Sequence, residues 1–116
     1  MKRKYRNTPV VIDGVRFASK AEAKRDAELC LLERADTIQD LERQPRFPLV
    51  VNGVKICTYI GDWSYMEFVR EKAINGRPRF SMKRVVEDRK GVQTPAFKIE
   101  WALAKALHPE IEWRLS

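Results

Sequence analysis

A strand that runs off its apolar face into four consecutive charges constrains this chain more than any other feature. Residues 80–91 read FSMKRVVEDRKG. Side chains two apart in an extended chain point the same way, so Phe80, Met82, Arg84, Val86 and Asp88 share one face. The β-branched pair Val85 and Val86 promises a buried strand. Glu87, Asp88, Arg89 and Lys90 follow, and Gly91 ends the run. Alternation groups Asp88 with Lys90. It sends Glu87 and Arg89 to the other face, where a surface pair turned away from any site is expected.

Such a strand needs a sheet, and the flanking sequence supplies one. Val10–Ile12 and Val15–Phe17 bracket Asp13-Gly14, a hairpin signal. Ser19 then opens a helix as N-cap, with Glu22 three residues on as in a capping box. Ala23, Ala27, Cys30, Leu31 and Arg34 fall on one helical stripe, which predicts an amphipathic helix to about Ala35. Residues 37–51 (TIQDLERQPRFPLVV) read as extended, with Pro45 and Pro48 marking an edge or irregular strand. Asn52-Gly53 is a two-residue turn between PLVV and VKICTYI. The run from Val54 to Phe68 is β-rich, with Gly61 as a bulge. Residues 71–79 (EKAINGRPR) read as a loop. Thr94-Pro95 starts a second helix, an N-cap followed by proline at the first helical position. Phe97, Trp101, Ala104 and Leu107 form its buried stripe, His108-Pro109 stops it, and Ile111, Trp113 and Leu115 alternate in a last strand. The order is hairpin, helix, three or four strands, helix, strand. That is an α/β fold with a mixed central sheet flanked by helices. It forms one domain over residues 9–116, behind a basic arm at residues 1–8.

Composition narrows the function classes. At 116 residues the chain is long enough for one core. Lys and Arg number 23 against 16 acids, for a net charge of +7, which favours a polyanionic partner over plain solubility. Cys30 and Cys57 form no CxxC pair and sit in apolar runs, as two small hydrophobes of a reducing compartment. Zinc would need more ligands than these two and the single His108 provide. No apolar run approaches the ~20 residues of a membrane span, and the basic start lacks the apolar stretch of a signal peptide. The expected location is the cytoplasm. One histidine also argues against a Ser-His-Asp triad, and no glycine-rich phosphate loop occurs.

Carboxylates and lysine remain. In YIGDW, Asp62 interrupts an apolar and aromatic run, and an ionised carboxylate buried there is costly unless paired or bound to metal. The plain alternative is that Gly61 breaks the strand and Asp62 turns the chain. Asp88 and Lys90 on one face are either a surface ion pair or half of a metal site for a hard cation. Mg²⁺ takes one or two carboxylates and completes its shell with water and phosphate. Glu22 is either the capping-box acid or a third site carboxylate.

A glutamate in the first helix, then Asp62, then Asp88-Arg89-Lys90, then a helix resembles the PD-(D/E)XK nuclease superfamily. DGVRFASKAEA, DLERQPRF, YIGDWSY and VVEDRKGVQTPAFKIEWAL resemble, in order, small phage and prophage nuclease domains of that superfamily, related to Holliday-junction resolvases. The resemblance spans nearly the whole chain, although glycine rather than proline precedes Asp62. It implies a core of helix, three strands, helix, strand. It implies a Mg²⁺- or Mn²⁺-dependent deoxyribonuclease acting as a homodimer on DNA, with branched DNA or Holliday junctions as the structure-specific substrate. Asp62 and Asp88 become metal ligands, Glu22 a helix acid at the metal, Lys90 the catalytic lysine, and Gln44 a polar neighbour. Lys98 on the second helix faces the phosphates or simply the solvent. Lys2, Arg3, Lys4, Lys20, Arg77 and Arg79 are candidates to track the nucleic-acid backbone, the first three on an arm that is otherwise a frayed terminus. The competing reading is a non-catalytic basic nucleic-acid-binding module. It accounts for the charge, but not for acids at strand ends.

Overall fold

The computed structural model describes residues 8–89 and 93–116. Its elements are β1 (Val10–Ile12), β2 (Val15–Phe17), α1 (Lys20–Arg34), β3 (Ile38–Arg43), β4 (Arg46–Val51), β5 (Val54–Ile60), β6 (Trp63–Ile74), β7 (Arg77–Asp88), α2 (Pro95–Leu107) and β8 (Glu112–Leu115). The class is mixed α/β and rich in strand. A four-stranded sheet has the order β3-β6-β7-β8. Its first three strands run antiparallel, and β8 lies parallel to β7. A parallel neighbour requires a crossover, and α2 provides it. β1–β2 and β4–β5 are separate two-stranded hairpins. Three two-residue turns, Asp13-Gly14, Asn52-Gly53 and Asn75-Gly76, hold both central residues at positive φ, the geometry that suits strand twist.

Five strands, not three or four, lie between the helices. The segment expected to be one irregular strand is cut at Gln44, which adopts a φ of 53°. The longer run is cut at residues 61–62, where the chain leaves the β4–β5 hairpin and enters the four-stranded sheet. Gly61 is required there by close approach. A Cβ on it would lie 3.0 Å from Val86 Cγ1 and 3.4 Å from Pro45 Cγ. Residues 71–79, expected as a loop, instead extend β6 and β7 around Asn75-Gly76.

Both helices begin where their caps predict. The Ser19 hydroxyl accepts from the Glu22 N–H, and the Thr94 hydroxyl from the Phe97 N–H. α2 buries Phe97, Trp101 and Ala104, as its stripe predicts. α1 does not follow its expected stripe. It buries Ala23, Asp26 and Leu29, while Leu31 is 62% exposed. The reason is that its inner face is organised by ion pairs as well as by apolar contact.

The sheet separates two cores, and β7 alternates between them. Val85 packs with Leu29, Ile38, Trp63 and Tyr65 on the α1 side. Val86 packs with Phe47, Leu49, Tyr59, Phe97 and Trp101 on the side of α2 and the β4–β5 hairpin. Two adjacent helix residues then fasten α1 to the sheet. Arg25 makes a bidentate contact with Glu87 (Nε–Oε2 2.6 Å, Nη2–Oε1 2.9 Å). Asp26 accepts a bidentate contact from Arg43 (2.7 and 2.9 Å) and a bond from Trp63 Nε1 at 3.0 Å.

Glu87 is therefore not a surface residue paired with Arg89. It is 0% exposed and held by Arg25 and by the Tyr65 hydroxyl at 2.7 Å. Burial pushes its carboxyl upward, but the Arg25 and Tyr65 hydrogen bonds outweigh that and leave it below the usual glutamate range.

Breaking a buried pair costs about 3–5 kcal/mol when the survivor stays buried. The Arg25 side chain is 23% exposed and reaches water. Glu87→Gln is therefore expected to cost about 2–3 kcal/mol in thermal denaturation at pH 7. The pair's contribution is full above the unfolded glutamate value of 4.5 and fades as pH falls through the lowered folded value. The variant should accordingly show a flatter acid limb than the wild type.

Candidate active site

Strand register brings the predicted acids together. Trp63 pairs with Glu87, so the residues just beyond, Asp62 and Asp88, meet at the sheet end. Asp62 is fixed at several points. Its N–H donates to the Glu87 carbonyl (3.2 Å), its carbonyl accepts from the Gln44 N–H (2.9 Å), and its Oδ2 accepts from the Arg89 N–H (2.7 Å). Asp88 lies on the Val86 face, is 0% exposed, and accepts a hydrogen bond from the Tyr59 hydroxyl. The Asp88 carboxyl acts on Asp62 at close range.

Two carboxyls this close resist double ionisation. Burial comes first, followed by the hydrogen bond and charge of Asp88 and then by the charge of Glu22, and together they push Asp62 up to about 7. On the other side of Asp88, burial and the Asp88 carboxylate raise the Tyr59 phenol far above its usual range, so it stays a hydrogen-bond donor.

A cleft of about 140 Å³ opens beside Asp62, and Glu22, Arg43, Gln44 and Trp63 line it. Glu22 thus does more than close the first turn of α1. Its N–H is capped by Ser19, while its side chain borders the cleft and raises Asp62. Gln44 reaches the cleft because its positive φ turns the chain between β3 and β4.

The other expected residues lie apart. Lys20 is exposed at the start of α1 and Lys98 is exposed on α2. Arg77 and Arg79 are exposed at the far end of the β6–β7 hairpin. Lys2, Arg3, Lys4 and Lys90 lie outside the described residues. Among the described residues, no three Asp, Glu, His or Cys side chains converge as a ready metal cage. The donor set is a carboxylate pair with a third acid across the cleft, and that pair fits an ion that keeps most of its shell as water. Tyr59 was missed from sequence, although CTYI places it on the inward face three residues before Asp62.

The chain belongs to the family described as "Protein of unknown function (DUF1064)", which matches residues 2–115. No curated protein and no solved structure matches it. No helix among the described residues is long and apolar enough to cross a membrane.

The raised Asp62 has a consequence for stability without metal. Its contribution is fully present below the unfolded aspartate value of 3.8 and is lost as pH rises through about 7. Asp62→Asn keeps the acceptor for Arg89 and removes the repulsion. Its melting temperature in EDTA should exceed that of the wild type, by a margin that grows from pH 4 to pH 7 and then levels. At pH 8 the gain should be about 1–2 kcal/mol.

Proposed function

We propose that this protein is a metal-dependent DNA endonuclease of the PD-(D/E)XK kind. One observation carries the reading. Two strand ends bring Asp62 and Asp88 together, and Asp62 opens on a cleft that Glu22 and Gln44 also border. A protein has little reason to place like charges together unless a cation or a shared proton joins them. The order of elements supports the same reading. With the β4–β5 hairpin set aside as an insertion, the chain runs helix, three strands, helix, strand, which is the core that the resemblance implies.

Asp62 and Asp88 hold the ion and Glu22 reaches it directly or through water. Bound Mg²⁺ or Mn²⁺ supplies Lewis acidity toward the phosphate and lowers the pKa of a water. Tyr59 fixes the orientation of Asp88. Lys90 orients the attacking water and balances charge developing on the phosphate. Gln44 borders the phosphate path, and Lys98, Lys20, Lys2, Arg3 and Lys4 track the backbone. Two copies, each with one site, cut the two strands, and branched DNA such as a Holliday junction is the substrate class by analogy.

The test is cleavage of linear, flapped and four-way DNA in Mg²⁺ or Mn²⁺. Asp88→Asn and Lys90→Ala should each reduce cleavage by about a hundredfold or more. Full activity in Asp88→Asn removes the assignment, and binding without cleavage in either metal favours the non-catalytic module. Glu22→Gln separates its two roles: lost activity with unchanged stability marks a metal role, and the reverse marks a cap.

A further inference from the structure

Beyond the sheet, β6 and β7 continue alone. The pairing of β3 with β6 ends at Glu67, and that of β8 with β7 begins at Val85. From Phe68 to Ile74 and from Arg77 to Arg84 the two strands pair only with each other among the described residues. This ribbon reaches roughly 20 Å past the sheet at about 3.4 Å per residue. It accords with a molecule of 64 × 41 × 20 Å.

The two faces of the ribbon differ in kind. On one, acids and bases are paired locally: Glu67 with Arg114, Lys83 with Glu112, and Glu71 with the Ser81 hydroxyl. On the other, Phe68 stands opposite Met82 and Arg70 opposite Phe80. Phe80 is 67% exposed, Phe68 42% and Met82 41%, and Arg70 is exposed beside them. These four residues include no carboxylate, whereas exposed Arg79 stands opposite Glu71 on the other face. Scattered apolar residues on a surface need no explanation, but aromatics grouped with arginines on a projecting ribbon do.

We propose that this ribbon is an arm that enters the major groove of duplex DNA, with Phe68, Phe80 and Met82 against base edges and Arg70 on a phosphate. The groove of B-form DNA is about 12 Å wide and admits a two-stranded β-ribbon. The face offers Arg70 to a phosphate and apolar surface to thymine methyls. A second copy of the chain fits less well. A two-fold contact joins the same patch of both copies, which would bring both copies' Arg70 into it with no carboxylate among the four residues. Duplex RNA is excluded by shape, since its major groove is too deep and narrow. The inference shares with the proposed nuclease only the premise that the partner is DNA.

The test uses the full chain in EDTA, so that cleavage does not intervene, and a labelled 20-base-pair duplex read by fluorescence anisotropy across a salt series. Phe80→Ala should weaken binding about tenfold with the same salt slope. Arg70→Ala should weaken binding and reduce the slope of log affinity against log salt by about one unit, as loss of one phosphate contact requires. Melting temperatures should match the wild type. Duplex RNA of the same sequence should compete at least about tenfold less well. Unchanged affinity in both variants overturns the arm and leaves the nuclease reading standing. Equal competition by duplex RNA overturns groove entry. A wild-type dimer that Phe80→Ala converts to monomer in sedimentation overturns it as well, because the face is then a contact between copies. Weakened binding in the variants of a chain that cuts nothing in Mg²⁺ or Mn²⁺ upholds the arm and removes the nuclease.

Discussion

The buried contact between Glu87 and Arg25 is the interaction on which the geometry of the site rests. An ionised carboxylate at 0% exposure is tolerable only with a charged, hydrogen-bonded partner. Arg25 provides that partner from α1, with Tyr65 completing the arrangement. The contact therefore fixes which face of β7 carries Glu87. Because side chains alternate, it also fixes Asp88 on the opposite face. A slip of one residue would send Glu87 into the aromatic core around Tyr59 and Trp101 and strip it of Arg25. The neighbouring pair of Asp26 and Arg43 ties the same helix to β3. Two successive residues of α1, of opposite charge, thus hold two strands of one sheet.

The strand end consequently shows one chemical group in two electrostatic settings. Glu87 has an arginine in bidentate contact and is drawn below its usual range. Asp62 has carboxyls as neighbours and is driven up to about 7. Burial pushes both acids upward, so burial does not distinguish them. Their partners do. A structural carboxylate is satisfied within the protein, whereas a carboxyl pair is completed by a shared proton or by a cation from outside. That contrast gives the proposed metal role its physical content, and it separates the site from the ion pairs that only hold the fold.

Much of this was legible in the sequence because the signals were local. The Asp-Gly and Asn-Gly turns, the caps at Ser19 and Thr94, and the even alternation from Phe80 to Asp88 each depend on a few neighbouring residues. Asp62 and Asp88 stood out because acids at the ends of apolar strands conflict with burial. What failed depended on distant partners. Nothing near Glu87 in sequence announces Arg25, sixty-two residues away, so the local pairing with Arg89 looked sufficient. The α1 stripe failed for the same reason, since Asp26 is buried by virtue of Arg43 and Trp63. The Asn75-Gly76 turn was legible, yet Arg77, Pro78 and Arg79 gave the segment a loop's composition. A free ribbon is polar and charged because no second layer covers it, and that is also why it resembles a loop.

The parity that places Asp88 in the site also places the proposed arm. Phe80, Met82, Arg84, Val86 and Asp88 occupy one face of β7, and its middle is marked by Arg84 over the Phe47 ring and Val86 in the same core. Eight residues of strand separate Phe80 from Asp88, or about 27 Å at 3.4 Å per residue. The stretch between them is covered by the core that α2 and the β4–β5 hairpin build over Val86, so only the arm end of this face is open. The two proposals share one strand, and each rests on its own residues. The rigid element between them is β7, whose register is set by Glu87 and Arg25.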